Sequence, residues 1–267
     1  MHPRIDYSTK VSAIVSSYNR YDSLIQALDG IRKQTYRNIE IIVVNDCSTD
    51  PRYYSGRATD VVWLDTEKNT RKIFGYPCLG YVRNKGIEVA TGEYIAFLDD
   101  DDLWLPDKIS RQLTSMVAGG YTMSCTEGLM GDGLFNPEGQ YPVYHREHYR
   151  SFCQTFFTRH YGGWTGILPD VFDIELIRKH NFIIHSSVIV KREILDKVGL
   201  YKEFPLGGVE IDGEFFYEDW ELWKRCLAHT DCLHLNSPLV YYDGGLSKKR
   251  VSHYFRFLSP GFWKKRS

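Results

Sequence analysis

The sequence contains no apolar run approaching the roughly 18 residues that suggest a membrane-spanning helix. Its N-terminus, MHPRIDYSTK, has no apolar stretch resembling a signal peptide. The six cysteines show neither CxxC spacing nor a small-domain disulfide pattern, so we interpret them as reduced thiols in a cytosolic compartment. The formal net charge of -1 gives no reason to expect nucleic acid as a partner. These absences predict a cytoplasmic globular protein.

The chain also lacks internal repeats, low-complexity segments and the GxGxxG motif of a dinucleotide oxidoreductase. Of its 267 residues, 43% are hydrophobic and 25% are charged, which is ordinary for a globular protein. A chain of this length can bury a sizeable core, and we expect one large domain or a domain with a small appendage.

Strand and helix patterns alternate up to about residue 118. Short apolar runs predict strands at Val11–Ser16, Ile39–Asn45, Val61–Leu64 and Tyr94–Leu98. Helical patterns lie between them, and a further helix is predicted to start at Pro106. This alternation implies a parallel, doubly wound sheet, in which ligands bind at the carboxyl ends of the strands.

Acidic residues occur at two of these strand ends. Asp46 follows the second strand, and a run of four aspartates, Asp99–Asp102, follows the fourth. Adjacent carboxylates raise one another's pKa unless a cation compensates, and Mg²⁺ or Mn²⁺ suits one or two carboxylates together with phosphate oxygens. The alternative is a solvated acidic turn before the next helix.

The second half of the chain has a different pattern. Residues 128–166 are rich in glycine and aromatic residues, which could stack on sugar rings or form a small satellite core. Beyond them we predict helices at 170–179, 191–198 and 217–228, with strands at 182–190 and Leu239–Tyr242.

Six segments, in order, resemble motifs of the family 2 glycosyltransferases, whose fold is called GT-A. The segment YIAFLDDDDLWLPDK from Tyr94 resembles the DxD region of that family. The other five are VSAIVSSYNR from Val11, IIVVNDCSTD from Ile41, RNKGI with ATGEY from Arg83, SSVIVKRE with VGLY from Ser186, and EDWELW from Glu218. The stretch between Asn69 and Arg83 is longer than is usual in the family.

The resemblance implies a fold and a division of the chain. It implies one GT-A domain at residues 1–247, with a Rossmann-like, mostly parallel central sheet flanked by helices. Residues 10–118 would form the nucleotide-binding half and residues 119–247 the acceptor-binding half. Residues 248–267 would then form a basic, aromatic tail.

The resemblance also implies roles on the donor side. Asp101 would be the principal ligand of Mn²⁺ or Mg²⁺ with Asp99 as the second, and Asp100 would face the ribose. The ring of Tyr18 would stack on the base, the Ser16 backbone would hydrogen-bond it, and Asp46 would accept a base N–H.

Arg83 would lie near the diphosphate or the acidic run. Three structural alternatives remain open: Tyr18 as a core aromatic, Asp46 as a cap for the following helix, and Arg83 as a surface ion-pair partner.

The catalytic base is assigned to the EDWELW segment. Transfer with inversion needs a base that deprotonates the acceptor hydroxyl, and the resemblance places Asp219 there, with Glu218 as the runner-up. Alternatively, both acids merely favour the dipole of the helix that they begin.

The implied function is metal-dependent, inverting transfer of a sugar from a UDP- or GDP-type donor to a glycan, lipid-linked or protein-linked acceptor. A sugar nucleotidyltransferase would carry a glycine-rich loop after the first strand. The loop here, SSYNR, has no glycine, which disfavours that class. A non-catalytic nucleotide-sugar-binding module is the other alternative. The presence of both the acidic run Asp99–Asp102 and the Glu218-Asp219 pair disfavours it.

The tail, residues 248–267, carries seven Lys or Arg residues and no acid, interleaved with aromatics. It could pack on the domain, attach the protein to the periphery of an anionic membrane, or place Lys248 or Arg250 on the donor diphosphate.

Overall fold

Nine strands form one mixed sheet in the computed structural model, which describes residues 8–211 and 214–245. The strands in these residues are β1 (Val11–Ser17), β2 (Ile39–Asn45), β3 (Val61–Asp65), β4 (Tyr94–Asp99), β5 (Leu103–Trp104), β6 (Met123–Gly131), β7 (Val171–Phe172), β8 (Ile189–Lys191), β9 (Val209–Ile211), β10 (Glu214–Phe216) and β11 (Cys232–Asp243). The large sheet has the order β3-β2-β1-β4-β8-β6-β11-β5, with β7 also paired to β11. β9 and β10 form a separate antiparallel pair.

The predicted parallel pairing of the central strands is confirmed, within a sheet that is mixed overall. β1 to β4 are mutually parallel, and β11 is parallel to β6. β8 is antiparallel to both of its neighbours, β4 and β6, and β5 and β7 are antiparallel to β11. The sheet is therefore mixed in its second half, and strands from both predicted halves of the chain share it.

Helices cover both faces of the sheet. In the described residues they are α1 (Tyr21–Arg32), α2 (Thr70–Phe74), α3 (Leu79–Val89), α4 (Lys108–Gly119), α5 (Arg150–Tyr161), α6 (Ile174–Lys179), α7 (Arg192–Val198) and α8 (Glu218–Leu227). Because side chains alternate along a strand, β1 sends Val11, Ala13 and Val15 into a core with α1 and α4. Ile14 points to the other face, into a core with α3 and α5 to α8.

The fold aligns the carboxyl ends of the central strands. Ser17 at the end of β1 is in register with Asn45 at the end of β2, and Ser16 with Asp99 at the end of β4. The loops that follow these strands therefore meet at one edge of the sheet, as the alternation of strands and helices predicted.

Several predicted boundaries were wrong. The predicted strand 182–190 is reduced to β8 (Ile189–Lys191), because His185–Ser187 form a 3₁₀ turn in which the Ser187 hydroxyl donates to the Ile184 carbonyl. In the predicted helix 170–179, Val171–Phe172 pair with β11, and Asp173 caps the helix by accepting from the Leu176 N–H.

The helix expected at Pro106 begins at Lys108. The last strand, expected at Leu239–Tyr242, extends back to Cys232 through a register shift at Pro238. The predicted tail at 248–267 lies outside the described residues.

Candidate active site

The acidic run lies at the aligned strand ends, in the turn that follows β4. The buried carboxylate of Asp100 is directed toward the β1 loop, where it accepts from the Ser17 hydroxyl (2.7 Å) and the Tyr18 backbone N–H (3.3 Å). Arg20 donates to both Asp100 (2.8 Å) and Asp101 (2.6 Å). The β1 loop and the acidic run are thus held together by charge-assisted hydrogen bonds.

On the opposite side of the run, Asp99 is paired with Arg83 of α3. Arg83 donates one N–H to Asp99 Oδ1 (2.8 Å) and another to Glu218 Oε1 (2.9 Å), at the start of α8. Its side chain is only 3% exposed, so the alternative of a surface ion pair is wrong. A buried guanidinium therefore joins the predicted metal ligand to the predicted catalytic helix.

The acids differ widely in their affinity for protons. Burial alone would raise the pKa of Asp99, but the Arg83 charge lowers it to about 2. Burial and the neighbouring Asp100 raise the pKa of Asp101 to about 7, and burial with Asp101 raises the pKa of Asp102 well above its usual range. The negative charge of the run is thus only partly compensated by the two arginines beside it.

His185 is a site residue that the sequence reasoning missed. Its Nδ1 lies 3.5 Å from Asp99 Oδ1, and its Nε2 lies 3.0 Å from the Tyr201 hydroxyl. Burial, followed by the nearby Arg83 charge, lowers the pKa of His185 to about 3, so the imidazole is neutral. Its position directly before the quoted Ser186 motif was the available signal.

Arg20 was also missed as a functional residue, although it ends the quoted SSYNR loop. Its ion pairs with Asp100 and Asp101 depend on how the β1 loop folds back toward β4. Sequence proximity to Tyr18 gave no indication of that contact.

Asp219 lies beside Glu218 at the start of α8. Burial and the negative charge of Glu218 raise the pKa of Asp219 to about 7. Its Oδ1 accepts from the Trp220 backbone N–H (2.6 Å), and its Oδ2 accepts from the side chain of Asn181 (3.4 Å). Glu218 is instead paired with Arg83, so the two adjacent acids are chemically distinct.

The residues predicted to bind the base lie on the loops after β1 and β2. Tyr18 is 42% exposed, so the alternative of a core aromatic is wrong. Ser16 is buried and lies between Val44 and Asp99 in the sheet. The Asp46 N–H donates to the Ser17 carbonyl (2.9 Å), which holds the β2 loop next to Tyr18.

The carboxylate of Asp46 is 7% exposed and accepts from Thr66, Asn69 and Thr70. The short helix after β2 is capped by Asp50, so the alternative role of Asp46 as its cap is wrong. Burial raises the pKa of Asp46 despite these donors.

The predicted metal ligands can be compared with what a cation requires. Within residues 8–211 and 214–245, no three His, Cys, Asp or Glu side chains are arranged to hold a metal ion by themselves. Mg²⁺ and Mn²⁺ do not need three, because they bind through one or two carboxylates plus phosphate oxygens and water. The hard oxygen donors of Asp99 and Asp101 fit such an ion, in a run whose negative charge Arg20 and Arg83 compensate only in part.

In the part of the chain that the structure describes, no helix is both long enough and apolar enough to cross a membrane.

Comparison with known proteins extends this description. The sequence model "Glycosyl transferase family 2" matches residues 12–54 and 76–199. The glucosyltransferase WfaP of Escherichia coli, named as UDP-Glc:alpha-D-GlcNAc-diphosphoundecaprenol beta-1,3-glucosyltransferase, is 37% identical over 108 residues, covering 40% of this chain and 41% of WfaP. The chain spans less than half the length of the curated relatives it matches.

Solved structures show the same fold at low sequence identity. S. aureus TarS 1-349 in complex with UDP-GlcNAc matches with a TM-score of 0.58 and 17% identity, over 88% of this chain and 58% of TarS. The mannosyltransferase PcManGT from Pyrobaculum calidifontis, in complex with GDP-Man and Mn²⁺, matches with a TM-score of 0.57 and 17% identity. The match covers 93% of this chain and 60% of PcManGT. The predicted GT-A architecture is confirmed by these similarities. The family match covers more than half of the sequence, and the chain belongs to glycosyl transferase family 2.

Proposed function

We propose that this protein transfers a sugar from a nucleotide-diphosphate donor to an acceptor hydroxyl, with inversion at the anomeric carbon and with the help of Mn²⁺ or Mg²⁺. One observation carries the proposal. Arg83 contacts both Asp99 and Glu218, which brings the acidic run at the donor side of the sheet next to Asp219.

Asp219 is the base in this proposal. Its carboxylate takes the proton of the acceptor hydroxyl while that oxygen attacks the anomeric carbon and the bond to the diphosphate breaks. A pKa of about 7 suits this task, because a general base works best near the operating pH. A single displacement assisted by one base inverts the anomeric configuration. Glu218 holds Arg83 in position through their ion pair and so acts as a positioning residue for Asp219.

Asp101 is the principal metal ligand of the proposal, and Asp99 is the second. A divalent ion bound there would offset the charge of the departing diphosphate. Binding would require Asp101 to exchange its ion pair with Arg20 for the metal. Arg20 would keep its pair with Asp100 and could turn another N–H toward phosphate. The complex of PcManGT with GDP-Man and Mn²⁺ is a precedent in a protein of the same fold.

The nucleotide lies, in this proposal, across the ends of β1, β2 and β4. The exposed ring of Tyr18 stacks on the base, and the Ser16 backbone and the Asp46 carboxylate hydrogen-bond its edge. Asp100 faces the ribose, and Arg83 lies near the diphosphate. These roles are supported by the common edge of the sheet on which Ser16, Tyr18, Asp46 and Asp100 lie. Arg83 of α3 reaches that edge through its ion pair with Asp99.

The acceptor is proposed to bind on residues 119–247, as part of one domain at 1–247. The name of WfaP specifies a diphosphoundecaprenol-linked sugar, which supports a lipid-linked glycan acceptor in polysaccharide or glycoconjugate synthesis. We place the protein in the cytoplasm, at or near a membrane surface that carries such an acceptor.

A thermal-shift screen of nucleotide sugars, each with Mn²⁺ and with EDTA, tests this function. A donor at 100 times its Kd should raise the free energy of unfolding by about 2.7 kcal/mol. Stabilisation by at least one nucleotide sugar, only with the metal present, is expected. The absence of stabilisation by any of them would contradict the proposal.

A further inference from the structure

The carboxylate of Asp46 is surrounded by hydrogen-bond donors of its own chain. Oδ2 accepts from the Asn69 side-chain amide (2.8 Å) and the Thr70 hydroxyl (2.7 Å). Oδ1 accepts from the Thr70 backbone N–H (2.9 Å) and the Thr66 hydroxyl (3.2 Å). A carboxylate offers about four acceptor positions, so all of them are occupied.

Three of these four donors are held in place by other bonds. Asn69 caps α2 by accepting from the Arg71 N–H, and its amide also donates to the Asp46 carbonyl. The Thr70 hydroxyl also accepts from the Cys78 N–H, and the Thr70 N–H is part of the backbone at the start of α2. These bonds fix both donors of Oδ2 and one donor of Oδ1.

The Thr66 hydroxyl is the exception. Its bond to Asp46 is the longest of the four, and the Asn45 carbonyl lies 3.5 Å from the same hydroxyl as an alternative acceptor. A base can therefore displace Thr66 from Oδ1 while the other three donors stay. Asp46 then offers a single acceptor position to a ligand.

The number of available positions separates the nucleobases. Guanine presents two adjacent donors, N1–H and the 2-amino group, and pairing both with a carboxylate needs both of its oxygens. Uracil and thymine present a single N3–H between two carbonyl oxygens. That pattern matches one free position on Oδ1, once the Thr66 hydroxyl has turned to the Asn45 carbonyl.

We propose that the donor nucleotide carries a pyrimidine-dione base of the uracil type and that Asn69 and Thr70 enforce this choice by occupying Oδ2 of Asp46. The inference rests on the proposed function of the site as a nucleotide-sugar site. Any base can stack on Tyr18. The choice between bases therefore depends on how many hydrogen-bond acceptor positions the Asp46 carboxylate leaves for the base.

Titration calorimetry of the full chain with UDP, GDP and N3-methyl-UDP, each with Mn²⁺, tests the inference. GDP would leave a buried donor unpaired, and N3-methyl-UDP lacks the N–H that Asp46 accepts. UDP should therefore bind about tenfold or more tightly than either of the other two. GDP binding that equals or exceeds UDP binding would overturn the inference and leave the proposed function standing. If none of the three binds, the proposed function falls as well.

Two neighbouring variants make the test specific. Asn69→Ala frees a position on Oδ2, so the preference for UDP over GDP should fall by about fivefold or more. Thr66→Val frees only the position on Oδ1 that the base already uses. The preference of this variant for UDP over GDP should therefore equal that of the wild type. An Asn69→Ala variant that weakens both nucleotides equally would show a merely structural role and overturn the assignment. Asn236→Ala, which removes an amide on β11, is the matched control.

Discussion

The guanidinium of Arg83 lies 2.9 Å from the carboxylate of Glu218 and is buried with it. The same guanidinium pairs with Asp99 at the end of β4, 2.8 Å away. Residues that are 135 positions apart in the chain therefore share one buried cation. This connection places Asp219, the proposed base, beside the proposed donor site.

Replacing Arg83 by alanine should lower the free energy of unfolding by about 3–5 kcal/mol, because it leaves the buried Glu218 and the partly buried Asp99 without their cation. Urea unfolding measures the effect. Arg178→Ala, which breaks an exposed pair with Glu175, is the control and should cost less than about 1 kcal/mol. A loss in Arg83→Ala no larger than that of the control would show that the ion pairs contribute little.

Asp101→Ala should lower turnover by about a hundredfold or more, because it removes the principal ligand of the metal that stabilises the leaving group. The variant should remain folded, since the change removes one of several mutually repelling charges. Nucleoside diphosphate release, measured with Mn²⁺ and with EDTA, checks this expectation. Asp107→Ala, an exposed acid just beyond the run, should be active. Full activity of Asp101→Ala in EDTA would contradict the role.

Tyr18→Ala should weaken donor binding by about tenfold, the scale of a lost aromatic stack on one base. Because Tyr18 is half-exposed, the midpoint of thermal unfolding should barely change, and Tyr18→Phe should retain the affinity. Calorimetric titration of the wild type, Tyr18→Ala and Tyr18→Phe with the donor measures the three affinities. Tyr161→Ala, at an equally exposed tyrosine on α5, is the control. Unchanged donor affinity in Tyr18→Ala would exclude stacking.

The stability of the protein should depend on pH through Asp219. Its folded pKa of about 7 lies above the ordinary value of 3.8, so the folded state binds the proton more tightly than the unfolded state. The stabilisation is present below pH 3.8 and is lost as the pH rises through about 7. Asparagine does not titrate, so Asp219→Asn does not lose unfolding free energy in this way as the pH rises. Its unfolding free energy relative to the wild type should therefore increase between pH 5 and pH 8.

Urea unfolding of both proteins at several pH values measures that difference. Glu138→Gln, at an exposed acid in the loop after β6, is the control and should show no such trend. A difference between Asp219→Asn and the wild type that is constant with pH would mean that Asp219 titrates normally.

The sequence predicted the parts of the fold that depend on local pattern. The apolar runs of β1, β2 and β4 and the acids that follow them were located correctly, because a buried parallel strand is a continuous apolar segment. The length of β11 was underestimated, since Asn236, Ser237 and Pro238 have turn-forming composition. Pairing with β6 keeps the segment extended despite the register shift there.

The candidate site was predicted as a set of residues but not as a network. Arg83 and the Glu218-Asp219 pair were each selected, yet their contact depends on how α3 and α8 pack, which no local pattern encodes. His185 was missed because its place before the Ser186 motif was a weak signal, and its approach to Asp99 depends on the 3₁₀ turn at His185–Ser187. The saturation of Asp46 by Thr66, Asn69 and Thr70 depends on how the loop after β3 packs against the end of β2, which no local pattern encodes.

The central claim is that Asp219 deprotonates the acceptor in a sugar transfer from a nucleotide donor. The most direct test is kcat for sugar transfer by the wild type and by Asp219→Asn, with the donor selected by the thermal-shift screen, Mn²⁺ and a glycan acceptor. The account predicts a fall of about 10² to 10⁴ in kcat, with the Kd for the donor unchanged because Asp219 faces the acceptor. A fully active Asp219→Asn variant, or an inactive Glu218→Gln beside an active Asp219→Asn, would contradict it.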